Sequence, residues 1–284
     1  MAANMKAVKL RIKSVQSTMQ ITRAMGLVAS SKMRRAKDRA LSSRPAFEML
    51  RQNLVEIANG NTDFISPYTR SGKSERWCYV VIAGDRGLAG GYNANVFKLV
   101  EAEAAGKDYD VLPIGKKAVE YFKRRKKEFV TEEFGEAASI SIGDCFEMAR
   151  LLCSEFRSGK YGHIALCYTN FASMLSQIPE STALLPLEDF GEEQKEPVRN
   201  LILYEPDSET VFDAIVPEYL AALLYGSLCE SVASELAARR NAMDAATKNA
   251  GDMIERLNLY YNRARQAGIT NEIIEIVAGA EGQK

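Results

Sequence analysis

The chain has 284 residues, 46% of them apolar and 26% charged. That balance excludes a disordered chain and leaves room for one core of about 120–140 residues plus an extended part. No uninterrupted apolar run reaches about 18 residues, which argues against a membrane-spanning helix. Net charge is zero, but residues 1–44 carry eleven Lys/Arg against Asp38 alone, so the remainder is net −10. A basic outward-facing helix needs acidic surroundings: nucleic acid, anionic lipid or acidic protein loops. A nucleic-acid arm should interleave aromatic or groove-reading side chains, and residues 1–44 contain no Phe, Tyr or Trp.

The N-terminal stretch steps by alternating three and four residues through Met5, Val8, Ile12, Val15, Met19, Thr22, Gly26, Ala29, Met33, Ala36 and Ala40. Such a repeat makes a helix that winds on a partner, and its small residues from Thr22 onward let two backbones approach closely. The unbroken repeat from Met5 argues against a cleaved transit peptide, and the first residues lack a secretory apolar region. Met25 lies off the seam beside Ile21, Leu27 and Val28, so this helix is apolar on more than one side. A helix enclosed in a sleeve could be. Pro45 should bend or end it, after ~60 Å at 1.5 Å per residue. A second helix follows over 46–58, then a loop over 59–74.

Strands and helices then alternate. Strands are expected at 77–83, 109–114, 163–168, 176–185 and 200–204, with a further one at 128–134. Helices are expected at 93–105, at 116–127 and from an N-cap at Asp144 to Phe156. The apolar run from Trp77 to Ala83 reads as a fully buried strand, and the alternation predicts a parallel sheet covered on both faces. Gly84 to Gly91 follows the first strand and opens a helix, the position of a phosphate-binding loop. It lacks both the Gly-Lys-Ser/Thr ending and the G-x-G-x-x-G spacing, and reads as a tight turn, with Asp85 paired to Arg86. The five Cys have no C-x-x-C spacing and His163 is the single His, which reads as reduced cytosolic thiols and no zinc site. No nucleophile elbow or paired carboxylates point to catalysis.

The final stretch carries a second seam: Cys229, Val232, Leu236, Arg239, Met243, Ala246, Ala250, Met253, Leu257, Tyr260, Ala264 and Ala267, with Arg239 its only charged member. Arg239 must pair with Glu235 at i−4 or reach outward to a carboxylate on another subunit. Such a helix from Glu218 to Ala278 would be ~90 Å long and cannot bury its stripe in one compact core. The N-terminal helix is its only candidate partner. Paired antiparallel, the C-terminal helix overshoots by ~30 Å. Its tip bears Ile269, Ile273, Ile274, Ile276 and Val277, an apolar end that calls for a socket on another protein. The fold class expected is α/β: a long antiparallel coiled coil (1–60 and 207–284) with an inserted Rossmann-like α/β domain (61–206).

The chain resembles the gamma subunit of F-type ATP synthase over its whole length. The matching segments are Ile-Thr-Arg-Ala-Met at 21–25, Ala-Ser-Ser-Lys-Met-Arg at 29–34, Asp-Arg-Gly-Leu-Ala-Gly-Gly at 85–91 and Leu-Tyr-Glu-Pro at 203–206. The most specific is the run from Ala264 to Ala280, which is similar to the family signature Ile-Thr-x-Glu-x-x-Glu-x-x-x-Gly-Ala. Departures are Ala89, where the family often has Cys, and Gly268; the Cys-bearing regulatory insertion of chloroplast relatives is absent. The resemblance implies a non-catalytic central rotor shaft, one copy per complex, turning inside three alpha and three beta subunits of a proton-translocating enzyme. It implies a base resting on the membrane c ring and binding epsilon, and neither cofactor nor nucleic acid. Met25, Arg239, Arg265, Gln266 and Thr270 match family positions near the catalytic beta subunits. Leu203, Tyr204 and Glu205 match positions facing the c ring and epsilon. The expected location is the cytoplasmic face of a bacterial inner membrane.

Overall fold

A computed structural model describes residues 2–60, 65–70, 72, 74–187 and 204–281. The described chain forms two compact units, Met1–Ala29 with Arg239–Lys284, and Ser30–Ala238. Two long helices, α1 (Ala2–Gly60) and α5 (Ser208–Glu281), contribute to both.

The larger unit holds a four-stranded sheet of β1 (Trp77–Ile82), β2 (Tyr109–Ile114), β3 (His163–Phe171) and β4 (Gln177–Leu185), in the order β2-β1-β3-β4. The first three strands are parallel, but β4 runs antiparallel to β3, so the sheet is mixed rather than parallel throughout. The connection explains it: only Ala172–Ser176 separates β3 from β4, and so short a link can only turn the chain back. Side chains alternate between two covered faces. Val80, Ile82, Leu112, Ile114, Ile164 and Leu166 meet α4 (Ile142–Arg157) and segments of α1 and α5, while Tyr79, Val81, Val111, Ala165 and Cys167 meet α2 (Tyr92–Glu103) and α3 (Lys116–Arg124).

Several expectations are corrected. α4 is capped by Ser141, not Asp144: the Ser141 hydroxyl accepts from the Asp144 amide at 3.3 Å, and the Asp144 carboxylate reaches back to the Ser141 amide at 2.6 Å. The aspartate is therefore the third-residue partner of a capping box. Residues 128–134 do not form a strand; Phe129 makes one isolated bridge to Val111. The segment then follows α3, where Lys123 pairs with Glu132 and Phe134 is buried. Of the strand expected at 200–204, only Tyr204 is among the described residues, and it is in no strand.

α1 neither ends at Pro45 nor restarts after it. Pro45 sits on an exposed face, where water can satisfy the Leu41 carbonyl that proline leaves unpaired. Beyond it, Phe47 stacks on Tyr219 of α5 at 5.4 Å, and Leu54 and Ile57 are buried in the core. α5 likewise starts ten residues upstream of Glu218 and passes through Pro217. Asp207 opens it, accepting from the Thr210 amide at 2.7 Å and the Thr210 hydroxyl at 3.0 Å. Those bonds hold the exposed Asp207 carboxyl below its usual range. By length and composition alone α5 contains a stretch apolar enough to cross a membrane. In the fold, its Phe212, Val216, Leu220, Leu224 and Leu228 are buried against the sheet's core.

In the smaller unit, α1 and α5 run antiparallel. The Thr22 and Thr247 hydroxyls lie 2.7 Å apart, and four residues further along α1 the Gly26 backbone packs on Met243 and Asp244. Advancing on α1 thus means retreating on α5. The α1 seam matches expectation: Val8, Thr22, Gly26 and Ala29 are buried and Met5, Ile12, Val15 and Met19 half-buried. The α5 seam is slipped by one residue at alternate positions. Met253 and Tyr260 are 44% and 50% exposed, whereas Ile254 and Tyr261 are half-buried, as are Thr247 and Gly268. Positions i+3 and i+4 flank the same face almost equally. With apolar residues at both, the partner's position decides which one is covered.

Two outcomes follow from this packing. Thr22→Cys with Thr247→Cys should oxidise to an intrachain disulfide detectable as a faster-migrating monomer; crosslinked dimers alone would contradict the antiparallel pairing. The Thr169 hydroxyl is buried with no hydrogen-bond partner among the described residues, so Thr169→Val should raise unfolding free energy by ~1 kcal/mol in urea titration.

Candidate functional site

The Gly84–Gly91 loop is the stretch most like a ligand cradle, and its Asp85 is engaged by backbone from later in the chain. One Asp85 carboxylate oxygen accepts from the Lys116 amide at 3.2 Å and the Ala137 amide at 2.9 Å, and the other from the Ala138 amide at 2.9 Å. The amide of α3's first residue, which could have faced a phosphate, is therefore satisfied by a carboxylate. Asp85 is committed to these amides rather than to Arg86. The close approach behind the loop needs glycine: Gly115, which precedes α3, has φ +94° and its Cα faces the Ala83 carbonyl. At Gly84, a Cβ would lie 2.6 Å from a Glu235 carboxylate oxygen of α5.

The five thiols are free and buried. Burial pushes Cys145 and Cys167 up to about 12 and Cys153 up to about 11, so none is poised as a thiolate nucleophile at neutral pH. Among the described residues no group of three His, Cys, Asp or Glu could hold a metal ion. His163 stacks on Trp77 at 4.4 Å, in a row of rings at the start of the parallel strands.

The residues expected to meet partners fall at separate levels. Met25 and Arg239 are half-buried in the paired-helix unit. Gly26, next to Met25, packs on Met243, one turn along α5 from Arg239, so Met25 and Arg239 lie about 8 Å apart along the helices. Arg265, Gln266 and Thr270 are exposed further along α5, about 39 Å from Arg239 by helical rise. The Thr270 hydroxyl donates to the Gln266 carbonyl at 3.0 Å, which leaves the Gln266 amide group and the Arg265 guanidinium projecting. Tyr204 is half-buried against the sheet's core and Glu205 is exposed; Leu203 lies outside the described residues.

Around these positions α1 and α5 display apolar side chains that no helix covers. Ile21, Leu27 and Val28 flank Met25 and are exposed, as are Ile269, Ile273, Ile274, Ile276 and Val277 at the end of α5. The measured register pairs residue 22 with 247 and residue 26 with 243. Continued to Ala2, the first described residue of α1, it reaches about residue 267 of α5, and among the described residues no helix lies opposite the roughly 20 Å that follow. Sequence reasoning missed three residues that couple α5 to the sheet: Thr169, Ser231 and Ser234. Three serines, Ser227, Ser231 and Ser234, spaced along one face of a helix at four and three residues were the available signal.

The sequence profile of the family described as ATP synthase matches residues 4–282. The ATP synthase gamma chain of Ruminococcus albus is 46% identical over 280 residues, covering 96% of each chain. The gamma chain of Acetobacterium woodii, named as sodium ion specific, is 38% identical over 299 residues and 99% of each chain. Among solved structures, the rotor of the Euglena gracilis mitochondrial ATP synthase aligns with a TM-score of 0.65 at 17% identity, over 95% of this chain and 100% of that one. A chain of the Tetrahymena thermophila central stalk and c-ring structure aligns at 0.57 and 22% identity, over 80% and 99%. At those identities the structures speak for the fold alone.

Because the loop lacks both phosphate-binding patterns, calorimetry on the isolated chain should detect no ATP binding tighter than millimolar. Asp85→Ala, which orphans three amides, should lower stability by ~2 kcal/mol in urea titration without creating a nucleotide site.

Proposed function

The chain belongs to the ATP synthase gamma family, and from that premise we propose that it is the central rotor shaft of an F-type ATP synthase. It is a non-catalytic subunit. Residues 1–60 and 207–284 form the shaft, an antiparallel coiled coil, and residues 61–206 the inserted Rossmann-like base. The observation that carries this reading is the exposed apolar end of α5, Ile269 to Val277. A large apolar surface on a helix end without an intrachain partner is costly in water, and a surrounding protein sleeve relieves that cost.

The sleeve is a ring of three alpha and three beta subunits around one copy of this chain. Met25 and Arg239 face it about 8 Å apart along the helices, and Arg265, Gln266 and Thr270 further along α5. The turn at Leu203, Tyr204 and Glu205 meets the c ring and epsilon. An off-centre tip touches the three beta subunits differently, so each turn of the shaft moves every catalytic site through states of different nucleotide affinity. The direction of coupling is from ion flow to ring rotation, to the base and then along α5. One of the relatives is sodium specific by name, and nothing in the shaft's part depends on which ion turns the ring. Relatives from Ruminococcus albus and Acetobacterium woodii support a peripheral position on the cytoplasmic face of a bacterial inner membrane.

Mixing the purified chain with its own alpha and beta subunits tests the reading. The chain alone should hydrolyse no ATP. The mixture should yield a particle of one copy with three of each, hydrolysing Mg-ATP; failure to assemble would remove the proposal's support. Within that particle Arg239→Ala should preserve helical content and assembly but cut turnover about fivefold or more, the equivalent of losing ~1 kcal/mol at a contact made only at certain shaft angles. Unchanged turnover would place Arg239 in a contact internal to the chain.

A further inference from the structure

Thr169 lies near the end of β3, where the sheet runs out on one side. The pairing of β3 with β1 stops at Val81 opposite Cys167, so no β1 ladder partner stands beside Thr169. Buried there without partners, the amide and carbonyl of Thr169 would each carry a desolvation penalty. α5 supplies both partners. The Thr169 amide donates to the Ser231 hydroxyl at 3.0 Å, and the Ser234 hydroxyl donates to the Thr169 carbonyl at 3.2 Å. Both serines are fully buried. One turn of α5 thus takes the place of a missing strand.

The same turn is keyed to β1: Gly84 leaves room for the Glu235 carboxylate, which a Cβ there would strike. Eighteen residues earlier, about 27 Å along the helix, Asp213 accepts from the Ser66 hydroxyl at 2.6 Å, which itself accepts from the Tyr68 amide at 3.2 Å. Between these two levels α5 meets the core through Val216, Leu220, Leu224 and Leu228. Apolar contacts are non-directional, so they resist pulling α5 off the sheet better than they resist its rolling about its own axis. Hydrogen bonds to a single strand residue are directional. A roll or a one-residue slide of α5 would break both and orphan four buried polar groups.

We propose that Ser231 and Ser234, closing on Thr169, form the latch that carries torque from the sheet-bearing base into α5. They are positioning residues, not contacts to another subunit. The proposal rests on the rotor reading above and adds the point at which load crosses from base to shaft. Its prediction is specific: without the latch the shaft still turns freely but slips under load.

The test uses the complete membrane enzyme with Ser231→Ala and Ser234→Ala together, measuring ATP hydrolysis without an ion gradient and ions pumped per ATP against one. Hydrolysis should stay within about twofold of the parent, while ions pumped per ATP fall about fivefold or more, the scale of losing ~1 kcal/mol of directional bonding. Val216→Ala, which removes an apolar contact between the same elements, should lower the melting temperature yet leave ions per ATP unchanged. If the double variant does not assemble, Ser234→Ala alone should give an intermediate drop. A parent-like ratio in every serine variant, or the same drop in Val216→Ala, overturns the latch and leaves the rotor reading intact. Failure of the unaltered chain to assemble with alpha and beta subunits overturns the rotor reading instead.

Discussion

A helix longer than any core it could lie in has to find its cover piecemeal, and this constraint organises the molecule. α5 spans Ser208–Glu281 and is covered three ways along its length. Its first part is buried against the sheet's core through Phe212 to Leu228. Its middle lies antiparallel on α1, where Thr22, Gly26 and Ala29 bring the backbones close. Its last turns display isoleucines with no helix opposite. Each kind of cover carries a different mechanical meaning: attachment, stiffening and contact with another protein.

In the sheet-bearing unit the turn after β1 is used for structure. Asp85 accepts from amides at the start of α3 and in the Ala137–Ser139 turn, tying the turn after β1 to both. An internal carboxylate satisfies the same amides permanently, so the turn holds its shape without a ligand. The relatives of this chain are named gamma chains of ATP synthase.

Polar groups inside this fold mark places where direction matters. Thr22 and Thr247 meet in a seam whose other members, Arg239 apart, are mostly apolar or small. Ser231 and Ser234 meet Thr169 at the sheet's edge. A buried hydroxyl costs stability unless paired, and once paired it penalises every other register. Apolar burial supplies most of the holding force, and these few pairs select one arrangement among many of nearly equal apolar area.

Much of this was legible in the residues. Runs such as Trp77–Ile82 are apolar on every position because both faces of the sheet are covered, and β2 falls where its pattern placed it, at Tyr109–Ile114. The α1 seam was readable from its unbroken three–four spacing from Met5 to Ala40, although Ile21, Met25, Leu27 and Val28 make the helix apolar on a second side. The α5 seam was not, because Met253, Ile254, Tyr260 and Tyr261 are all apolar or aromatic and only α1's position separates the covered from the exposed. The gap between the strands expected at 163–168 and 176–185 was already too short for a parallel crossover, but the apolar pattern could not show that residues 128–134 leave the sheet after one bridge or that α1 continues past Pro45. Local chemistry determines which residues prefer to be buried, and it did so here for the strands, the helices and the family signature. Which of two equally apolar neighbours is covered, and which hydroxyl closes on which strand, depends on contacts between segments far apart in the chain, and only the tertiary structure brings those together.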